Sequence, residues 1–294
     1  MPADRNGALA GAGTATSQTG LAVLMTLGSM VSVQVGAAFA HPTMDLYGPL
    51  ATTWGRLAWA AVILGLIVRP DIRRYGRGEL LLALALGAAI AVMTLAYFVA
   101  ITRVPLGLVA AIEFLGPLGV AAWGFGRNWR LIWLVLALAG VFLLVRNEEG
   151  WTIDLVGLAF TLVAGIGWAG YIVLSKRIGK SFRGLDGLAI SLIAAALITM
   201  PFGLYETGFT LPTDLAIQTM GLAVLTPLLP YALEMMALRR LLPATFGVLM
   251  SIEPGIGALA GYLILFEQLS LQQVLGIVCV ISAGAGAVAS ARES

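Results

Sequence analysis

The sequence predicts an all-α integral membrane protein with ten transmembrane helices, arranged as two inverted five-helix repeats. Three observations predict this fold class. Hydrophobic residues make up 60% of the 294 residues and charged residues only 11%, which is the composition of a chain that lies in a bilayer. Ten apolar runs approach the length that a membrane crossing requires. Two of these runs carry a glutamate in similar surroundings, which indicates an internal duplication.

The apolar runs follow one another with short polar connections. A helix needs about twenty apolar residues to cross a hydrocarbon core of about 30 Å. Residues 1–18 are small and polar, and we predict that they form a disordered cytoplasmic tail. The spans are predicted at residues 19–40, 49–68, 79–101, 105–125, 129–145, 154–175, 187–205, 215–238, 243–265 and 271–291.

Lysine and arginine are concentrated in alternate connections, those that follow the second, fourth, sixth and eighth spans. Positively charged loops stay on the cytoplasmic side of a bacterial membrane. We therefore expect both termini to lie in the cytoplasm. The basic residues concerned are Arg69, Arg73, Arg74, Arg77, Arg127, Arg130, Lys176, Arg177, Lys180, Arg183, Arg239 and Arg240.

The two glutamate-bearing runs place a repeat boundary in the polar stretch 147–152. Glu113 and Glu253 each follow a glycine by six residues, since 113 − 107 = 6 and 253 − 247 = 6. The first five-helix repeat is predicted at residues 19–146 and the second at residues 153–291. An odd number of spans makes the second repeat enter the membrane from the opposite side, so the repeats are inverted.

A charged side chain in the middle of such a span costs about 2.5 to 3.5 kcal/mol on insertion scales. In proteins with inverted repeats, substrate sites lie near the midplane, where Gly or Pro interrupts a helix. Glu113 precedes Pro117, and Glu253 directly precedes Pro254. Both glutamates are therefore candidates for substrate binding or proton coupling. The alternative is that each one, protonated, only joins neighbouring helices by a hydrogen bond.

Two further charged residues fall within apolar spans. Arg56 lies about two turns into the second span and is a candidate partner for a substrate carboxylate. Glu234 lies close to Arg239 and Arg240 and is a weaker candidate for proton coupling. For both residues the alternative is that the side chain extends to the membrane interface, where Glu234 would form an ion pair.

Other polar and aromatic side chains at membrane depth are candidates for lining a substrate path, although each is also a common helix-packing or interface residue. We predict substrate contacts for Gln34, Tyr97, Trp168 and Tyr231. Thr94, Tyr171 and Thr226 belong to the same group.

Catalysis has little support in the sequence. The chain has no Gly-x-x-x-x-Gly-Lys loop for nucleotide phosphates. It has one histidine, His41, and one cysteine, Cys279, which excludes disulfide frameworks and His/Cys metal sites. A net charge of +2 with basic residues in short loops does not suggest a nucleic-acid partner. We expect no enzyme activity, no cofactor and no metal.

Three stretches resemble the drug/metabolite transporter superfamily with its EamA-type duplicated domain, and within it the exporters of threonine and homoserine in the bacterial inner membrane. The similarity covers about residues 20–290 and departs from the family pattern at Val35, Thr102 and Arg103. The stretches are Val104-Pro105-Leu106-Gly107 continuing to Glu113-Phe114-Leu115-Gly116-Pro117-Leu118, Leu229-Pro230-Tyr231-Ala232-Leu233-Glu234-Met235, and Phe246-Gly247-Val248-Leu249-Met250-Ser251-Ile252-Glu253-Pro254.

The resemblance implies a secondary active transporter that exports small neutral amino acids across the inner membrane, driven by proton antiport. In that function Arg56, or the backbone N–H groups of a broken helix, would bind the substrate carboxylate. Glu113 or Glu253 would bind the ammonium group and carry the coupling proton. The expected partners are the amino acid, protons and lipid, with a monomer or homodimer as the assembly. Two alternatives remain: a permease of the same fold for another metabolite or drug, and a structural or sensory membrane protein.

Overall fold

All the long elements of the chain are helical in this computed structural model, which confirms the predicted all-α membrane fold. The structure describes residues 5–123, 131–147, 150–151, 154–238, 240–241 and 249–291. The helices are α1 Arg5–Tyr47, α2 Pro49–Val68, α3 Arg77–Ile101, α4 Leu106–Glu113, α5 Leu115–Trp123, α6 Leu131–Val145, α7 Leu155–Ser181, α8 Asp186–Glu206, α9 Thr213–Ala223, α10 Leu229–Leu238, α11 Glu253–Ile264 and α12 Leu271–Ala291.

Six helices in the described part of the chain are long and apolar enough to cross a membrane. Three shorter apolar helices, Leu106–Val120, Ile132–Leu144 and Leu271–Ala287, coincide with the fourth, fifth and tenth predicted spans. α11 covers Glu253–Ile264 of the ninth. The six longer spans are Gly20–Tyr47, Pro49–Val68, Arg77–Ile101, Leu155–Ser181, Asp186–Glu206 and Thr213–Ala237.

The first helix begins earlier than the sequence predicts. It starts at Arg5, so residues 5–18 are helical where a disordered tail is expected. This segment contains several alanines, the residue with the highest helix propensity, and no proline. It also extends a helix that already exists, which avoids the cost of nucleation.

Two spans are interrupted beside their glutamates. α4 ends at Glu113, and α11 begins at Glu253. Proline cannot donate the backbone hydrogen bond that an α-helix makes to the carbonyl four residues earlier. Pro117 therefore leaves the carbonyl of Glu113 without its helical donor, and Pro254 does the same for Met250. The earlier part of the ninth span, residues 242–248, lies outside the described residues.

The eighth predicted span is broken at Thr226. There the backbone leaves helical geometry, with φ −157° and ψ 114°, inside the π-helical segment Val224–Leu228, and the peptide bond to Pro227 is cis. Pro230 lies four residues after Thr226 and has no N–H to donate. The carbonyl of Thr226 is therefore available to a partner from another helix.

The helices pack in pairs that join the two halves of the chain. α2 packs along α8, α4 against α11, and α6 against α12. α3 packs against α7, and α1 packs against α10. If the two halves are exchanged, the pair of α3 and α7 becomes the pair of the eighth span and α1. Each of the other three pairs, α2 with α8, α4 with α11 and α6 with α12, becomes itself. This is the pattern that a two-fold relation between repeats requires.

Glycines let the helices around the centre approach closely. A Cβ atom at Gly107 on α4 would lie 2.6 Å from the Cα of Ala258 on α11. A Cβ atom at Gly167 on α7 would lie 2.9 Å from the Cα of Met93 on α3. Real Cβ atoms do not approach so closely, so these contacts require glycine and set the spacing of four helices at the centre of the protein.

The connection between the halves is a short antiparallel ladder. Arg146 pairs with Trp151, and Asn147 pairs with Gly150. The predicted repeat boundary falls here. Residues 148–149 and 152–153, and the basic residues Arg127, Arg130 and Arg239, lie outside the described residues.

Candidate functional site

A cavity of about 60 Å³ lies among the helices at the level of the interrupted spans. Ordinary ligand pockets begin at roughly 300 Å³, so the helices are closed around this one. All eight site residues predicted from the sequence line it, and both halves of the chain contribute. The lining residues are Val33 and Gln34 of α1, Arg56 of α2, Met93, Thr94, Tyr97 and Phe98 of α3, Glu113 of α4, Trp168 and Tyr171 of α7, Thr226, Tyr231 and Glu234 of the eighth span, and Glu253 of α11.

Arg56 is the most deeply buried charged group in the cavity, with 1% of its surface exposed. Its Nη1 donates to Oγ1 of Thr226 at 3.0 Å and to the Thr226 carbonyl at 3.3 Å. Its Cζ lies 3.6 Å from the centre of the Phe98 ring. Nε and Nη2 have no hydrogen-bond partner among the described residues. The guanidinium therefore does not extend to the membrane interface, and it presents two free donor nitrogens inside the protein.

Glu253 is held by a short chain of hydrogen bonds. Nε2 of Gln34 donates to Oε1 of Glu253 at 3.2 Å, and the hydroxyl of Tyr97 donates to Oε1 of Gln34 at 3.3 Å. These bonds orient the Gln34 amide, because only its nitrogen can donate to the carboxyl group. Oε2 of Glu253 has no partner among the described residues. One oxygen is therefore occupied and the other is free.

Glu234 accepts two hydrogen bonds from helices of both halves. Oγ of Ser29 donates to Oε1 at 2.7 Å, and the hydroxyl of Tyr171 donates to Oε2 at 3.3 Å. The Tyr171 ring stacks on Tyr231, with the ring centres 5.2 Å apart. The predicted alternative, an interfacial ion pair with the basic residues that follow, does not describe this side chain, which is buried. Arg240 instead donates to the carbonyl of Met236.

Glu113 lines the same cavity from the end of α4 and is 8% exposed. The next residue, Phe114, makes an edge-to-face contact with Trp168 at 6.3 Å between ring centres. This contact joins the interrupted fourth span to α7. Glu113 and Trp168 therefore line the same cavity, one from each half of the chain.

The cavity as a whole matches the charges of a zwitterion. Its lining includes two guanidinium nitrogens of Arg56 and a carboxyl oxygen of Glu253 that are buried and have no hydrogen-bond partner among the described residues. Charged groups removed from water need a partner, and an α-amino acid supplies both a carboxylate and an ammonium group. Among the described residues there is no cluster of three or more His, Cys, Asp or Glu that could hold a metal ion.

Three cavity residues, Val33, Met93 and Phe98, are not among the candidates that the sequence suggests. Apolar residues in an apolar span carry no signal that separates a cavity wall from helix packing. The sequence marks Thr226 only as a polar residue at membrane depth. The two prolines that follow it, Pro227 and Pro230, are the signal that marks its carbonyl as free.

A cavity lined by buried ionisable groups from both halves of an all-helical membrane protein is the arrangement expected of a transporter. The comparisons with known proteins identify the kind. The EamA-like transporter family matches residues 155–288, and the chain belongs to this family, within the drug/metabolite transporter superfamily.

Two relatives and one solved structure extend over almost the whole chain. The threonine/homoserine exporter RhtA of Salmonella typhimurium is 38% identical over 276 residues, which are 93% of each chain. RhtA of Escherichia coli K12 is 37% identical over the same share. A crystal structure that is 16% identical has a TM-score of 0.59 over 96% of this chain and 98% of its own, which shows the same fold. The chain is thus an EamA-type transporter.

Proposed function

We propose that the protein is a secondary active transporter that exports small neutral amino acids of the threonine and homoserine type across the inner membrane, by proton antiport. The pair of unpartnered groups in the cavity, Arg56 and Glu253, carries this proposal. Their charges match the two ends of an amino acid, and the two similar exporters bear names that state such substrates.

In this mechanism the substrate carboxylate binds to Nε and Nη2 of Arg56, and its ammonium group binds to Oε2 of Glu253. Gln34 occupies Oε1 of Glu253 at 3.2 Å, so Oε2 is also the atom that carries a proton when Glu253 is neutral. A proton and an ammonium group cannot occupy Oε2 together. Their competition for one atom couples export of the amino acid to entry of a proton.

The other side chains have supporting roles. Glu113 contributes a second carboxyl group to the ammonium side of the site. Tyr97 orients Gln34, and Trp168 and Tyr231 form aromatic walls. Glu234 already accepts bonds from Ser29 and Tyr171, so we assign it a secondary part in proton transfer. The closed cavity implies that the helices separate to admit substrate, as alternating access requires.

The decisive experiment measures substrate and coupling together in everted membrane vesicles, where export appears as uptake. Labelled threonine, homoserine, other amino acids and an unrelated drug are supplied with and without an imposed pH gradient. We expect uptake of threonine and homoserine that accelerates with the gradient and stops when an ionophore collapses it. Uptake of the drug alone would identify a permease of another specificity, and uptake of no compound would indicate a structural or sensory protein.

Variants of the two interrupted-span glutamates separate their roles. Glu253→Gln should retain exchange of threonine in proteoliposomes but lose its acceleration by a pH gradient, because a glutamine cannot release a proton. Glu113→Gln should mainly raise the KM for threonine. Glu206→Gln is the matched control, since Glu206 lies outside the cavity and accepts the backbone N–H of Ala51 at 2.7 Å. If gradient-driven transport is unchanged in both Glu253→Gln and Glu113→Gln, the two glutamates only contribute to helix packing.

A further inference from the structure

We infer that Phe98 and Thr226 are positioning residues that make Arg56 a side-on receptor for a carboxylate. A free carboxylate is then a strict requirement for export. The inference rests on the proposed function, because it specifies how the substrate carboxylate is recognised. Neither residue acts on the substrate directly; both act through the orientation of the Arg56 guanidinium.

The unpartnered nitrogens of Arg56 lie on one edge of its planar guanidinium. Nε and Nη2 point to the same side, away from the aliphatic part of the chain, whereas Nη1 lies on the other side. Nη1 is the nitrogen that Thr226 holds, at 3.0 and 3.3 Å. Nε and Nη2 are both buried and without a partner among the described residues. This free edge is the one that binds a carboxylate by two parallel hydrogen bonds.

Phe98 covers a face of the guanidinium, not its edge. The Arg56 Cζ lies 3.6 Å from the centre of the Phe98 ring, which is the distance of a stacked cation and aromatic ring. Phe98 is 2% exposed, and its ring contacts that of Tyr97, with 5.5 Å between the ring centres. A ring held in this way restrains the plane of the guanidinium and leaves the edge with Nε and Nη2 accessible.

The break at Thr226 provides the second restraint. Its carbonyl is free because Pro230 cannot donate to it. The break is itself anchored to α1, since Oγ of Ser32 donates to the Leu225 carbonyl at 2.7 Å. Gly36 lets α1 approach closely, as a Cβ atom there would lie 2.9 Å from Cγ2 of Thr226. Two fixed acceptors on Nη1 therefore determine where the opposite edge points.

This geometry predicts that Arg56 selects substrates by the shape of their carboxylate, and not only through the attraction of its positive charge. Two parallel N–H donors match the two oxygens of a carboxylate, whereas a carboxamide offers one oxygen and a competing NH₂ donor. A site that hydrogen-bonds one group rejects an analogue that leaves its buried donors unpaired. Loss of either restraint should therefore weaken the preference for the acid over the amide.

The test measures L-threonine exchange by the full-length protein in proteoliposomes, with unlabelled L-threonine or L-threoninamide as competitor. Phe98→Leu removes the ring, and Thr226→Val removes the hydroxyl at nearly constant volume. We expect each variant to raise the KM for threonine about tenfold with the maximal rate changed less than about threefold. The preference for threonine over threoninamide should fall by about the same factor. Thr226→Ser, which keeps the hydroxyl, should restore both values.

Two control variants have matched chemistry away from Arg56. Thr199→Val removes a buried hydroxyl that donates within its own helix, to the Ala195 and Ala196 carbonyls. Phe202→Leu changes an exposed ring on the same helix. Both should keep the wild-type preference. A wild-type preference in Thr226→Val and Phe98→Leu, with threonine exchange intact, would overturn the positioning role alone. Absence of threonine exchange by the wild-type protein would overturn the proposed function and this inference with it.

Discussion

Glu234 and Glu253, two carboxyl groups of the cavity, differ in how far their hydrogen bonds are satisfied. Glu234 accepts a bond at each oxygen, from Ser29 and Tyr171. Glu253 accepts one from Gln34 and keeps Oε2 free. A satisfied buried group stabilises the fold, whereas a buried group with a free atom costs free energy until a ligand arrives. This difference is the reason to place substrate exchange at Glu253 and not at Glu234.

Arg56 is the residue whose substitution should affect transport most. Arg56→Lys keeps the charge but loses the edge with two donors, and Arg56→Ala loses both. Charge-assisted hydrogen bonds are worth about 1.5 to 3 kcal/mol, so the KM for threonine should rise about ten- to a hundredfold in Arg56→Ala. The measurement is threonine exchange in proteoliposomes with equal amounts of each protein. The control is Arg69→Lys, because Arg69 is exposed and donates to the Leu66 carbonyl. Wild-type kinetics in Arg56→Ala would exclude Arg56 from the site.

Prolines and glycines shape the helices that surround the site. Pro117, Pro230 and Pro254 each remove a helical donor at a residue beside the cavity. Gly107 and Gly167 bring the surrounding helices into contact. The spans are therefore interrupted because proline lacks a backbone N–H. The helices lie close together because glycine has no side chain at the points of contact.

The contact between α4 and α11 at Gly107 gives a stability prediction. Gly107→Ala places a Cβ atom 2.6 Å from the Ala258 backbone, so it should destabilise the protein by about 1 to 3 kcal/mol through overpacking. Gly119→Ala on α5 is the matched control, because no atom of the described residues lies within 4 Å of its added Cβ. It should be neutral or stabilising by up to about 1 kcal/mol, since alanine is the better helix former. Thermal unfolding in detergent compares the two, and equal melting temperatures would contradict the close contact.

A second stability prediction concerns pH and the start of α4. Both oxygens of Glu267 lie near the Leu106 N–H, at 3.0 and 3.1 Å. Burial raises the pKa of Glu267 above its ordinary value of 4.5, although the bond from Leu106 acts to lower it. The folded state therefore holds this proton more strongly than the unfolded state, and stability falls as pH rises from 4.5 through the folded pKa.

Glu267→Gln removes this titration and keeps an oxygen acceptor for Leu106. Its melting temperature should fall less than that of the wild type between pH 4.5 and 8. Glu267→Ala loses the acceptor and should be less stable at every pH, by about 0.5 to 1 kcal/mol. Melting curves in detergent at several pH values measure this. Glu79→Gln is the control, at a carboxylate that likewise accepts a backbone N–H, that of Gly76 at 2.8 Å. Identical pH dependence in the wild type and Glu267→Gln would show that Glu267 carries none of it.

At the scale of the whole molecule, we propose that residues 19–146 and 153–291 form two inverted repeats. The helix pairs that join the halves fit a two-fold axis in the membrane plane. The cavity lies between the halves and takes residues from both. Inverted repeats would give the protein two related conformations, each the structural image of the other, and a transporter needs such a pair to expose one site to either side.

The predicted topology can be tested directly. Tags at residues 1 and 294 should both be cytoplasmic, because lysine and arginine are concentrated in the loops on that side. Glu148→Cys, in the connection between the halves, should react with an impermeant thiol reagent added from outside. The same reagent should label Arg73→Cys, in the basic loop after α2, only after the membrane has been permeabilised. A cytoplasmic residue 148 would contradict the inverted arrangement.

The sequence alone was sufficient for the class of protein, the positions of the spans and the identity of the unusual polar residues. Spans are predictable because membrane insertion depends on the local sum of hydrophobicity over about twenty residues. Glu113, Glu253 and Arg56 are conspicuous for the same reason, since a charge in an apolar span is costly wherever the helix packs. The helical start at Arg5 escaped prediction because helix extension depends on the helix that follows it.

Only the tertiary structure decided which of these residues meet and which of their atoms stay free. The bond from Gln34 to Glu253 joins residues 219 positions apart, and that from Arg56 to Thr226 joins residues 170 apart. No local pattern specifies such pairs, because they depend on how whole helices pack and where prolines break them. Which atoms of Arg56 and Glu253 stay without a hydrogen-bond partner depends on these long-range bonds, because the bonds occupy the other atoms of both groups.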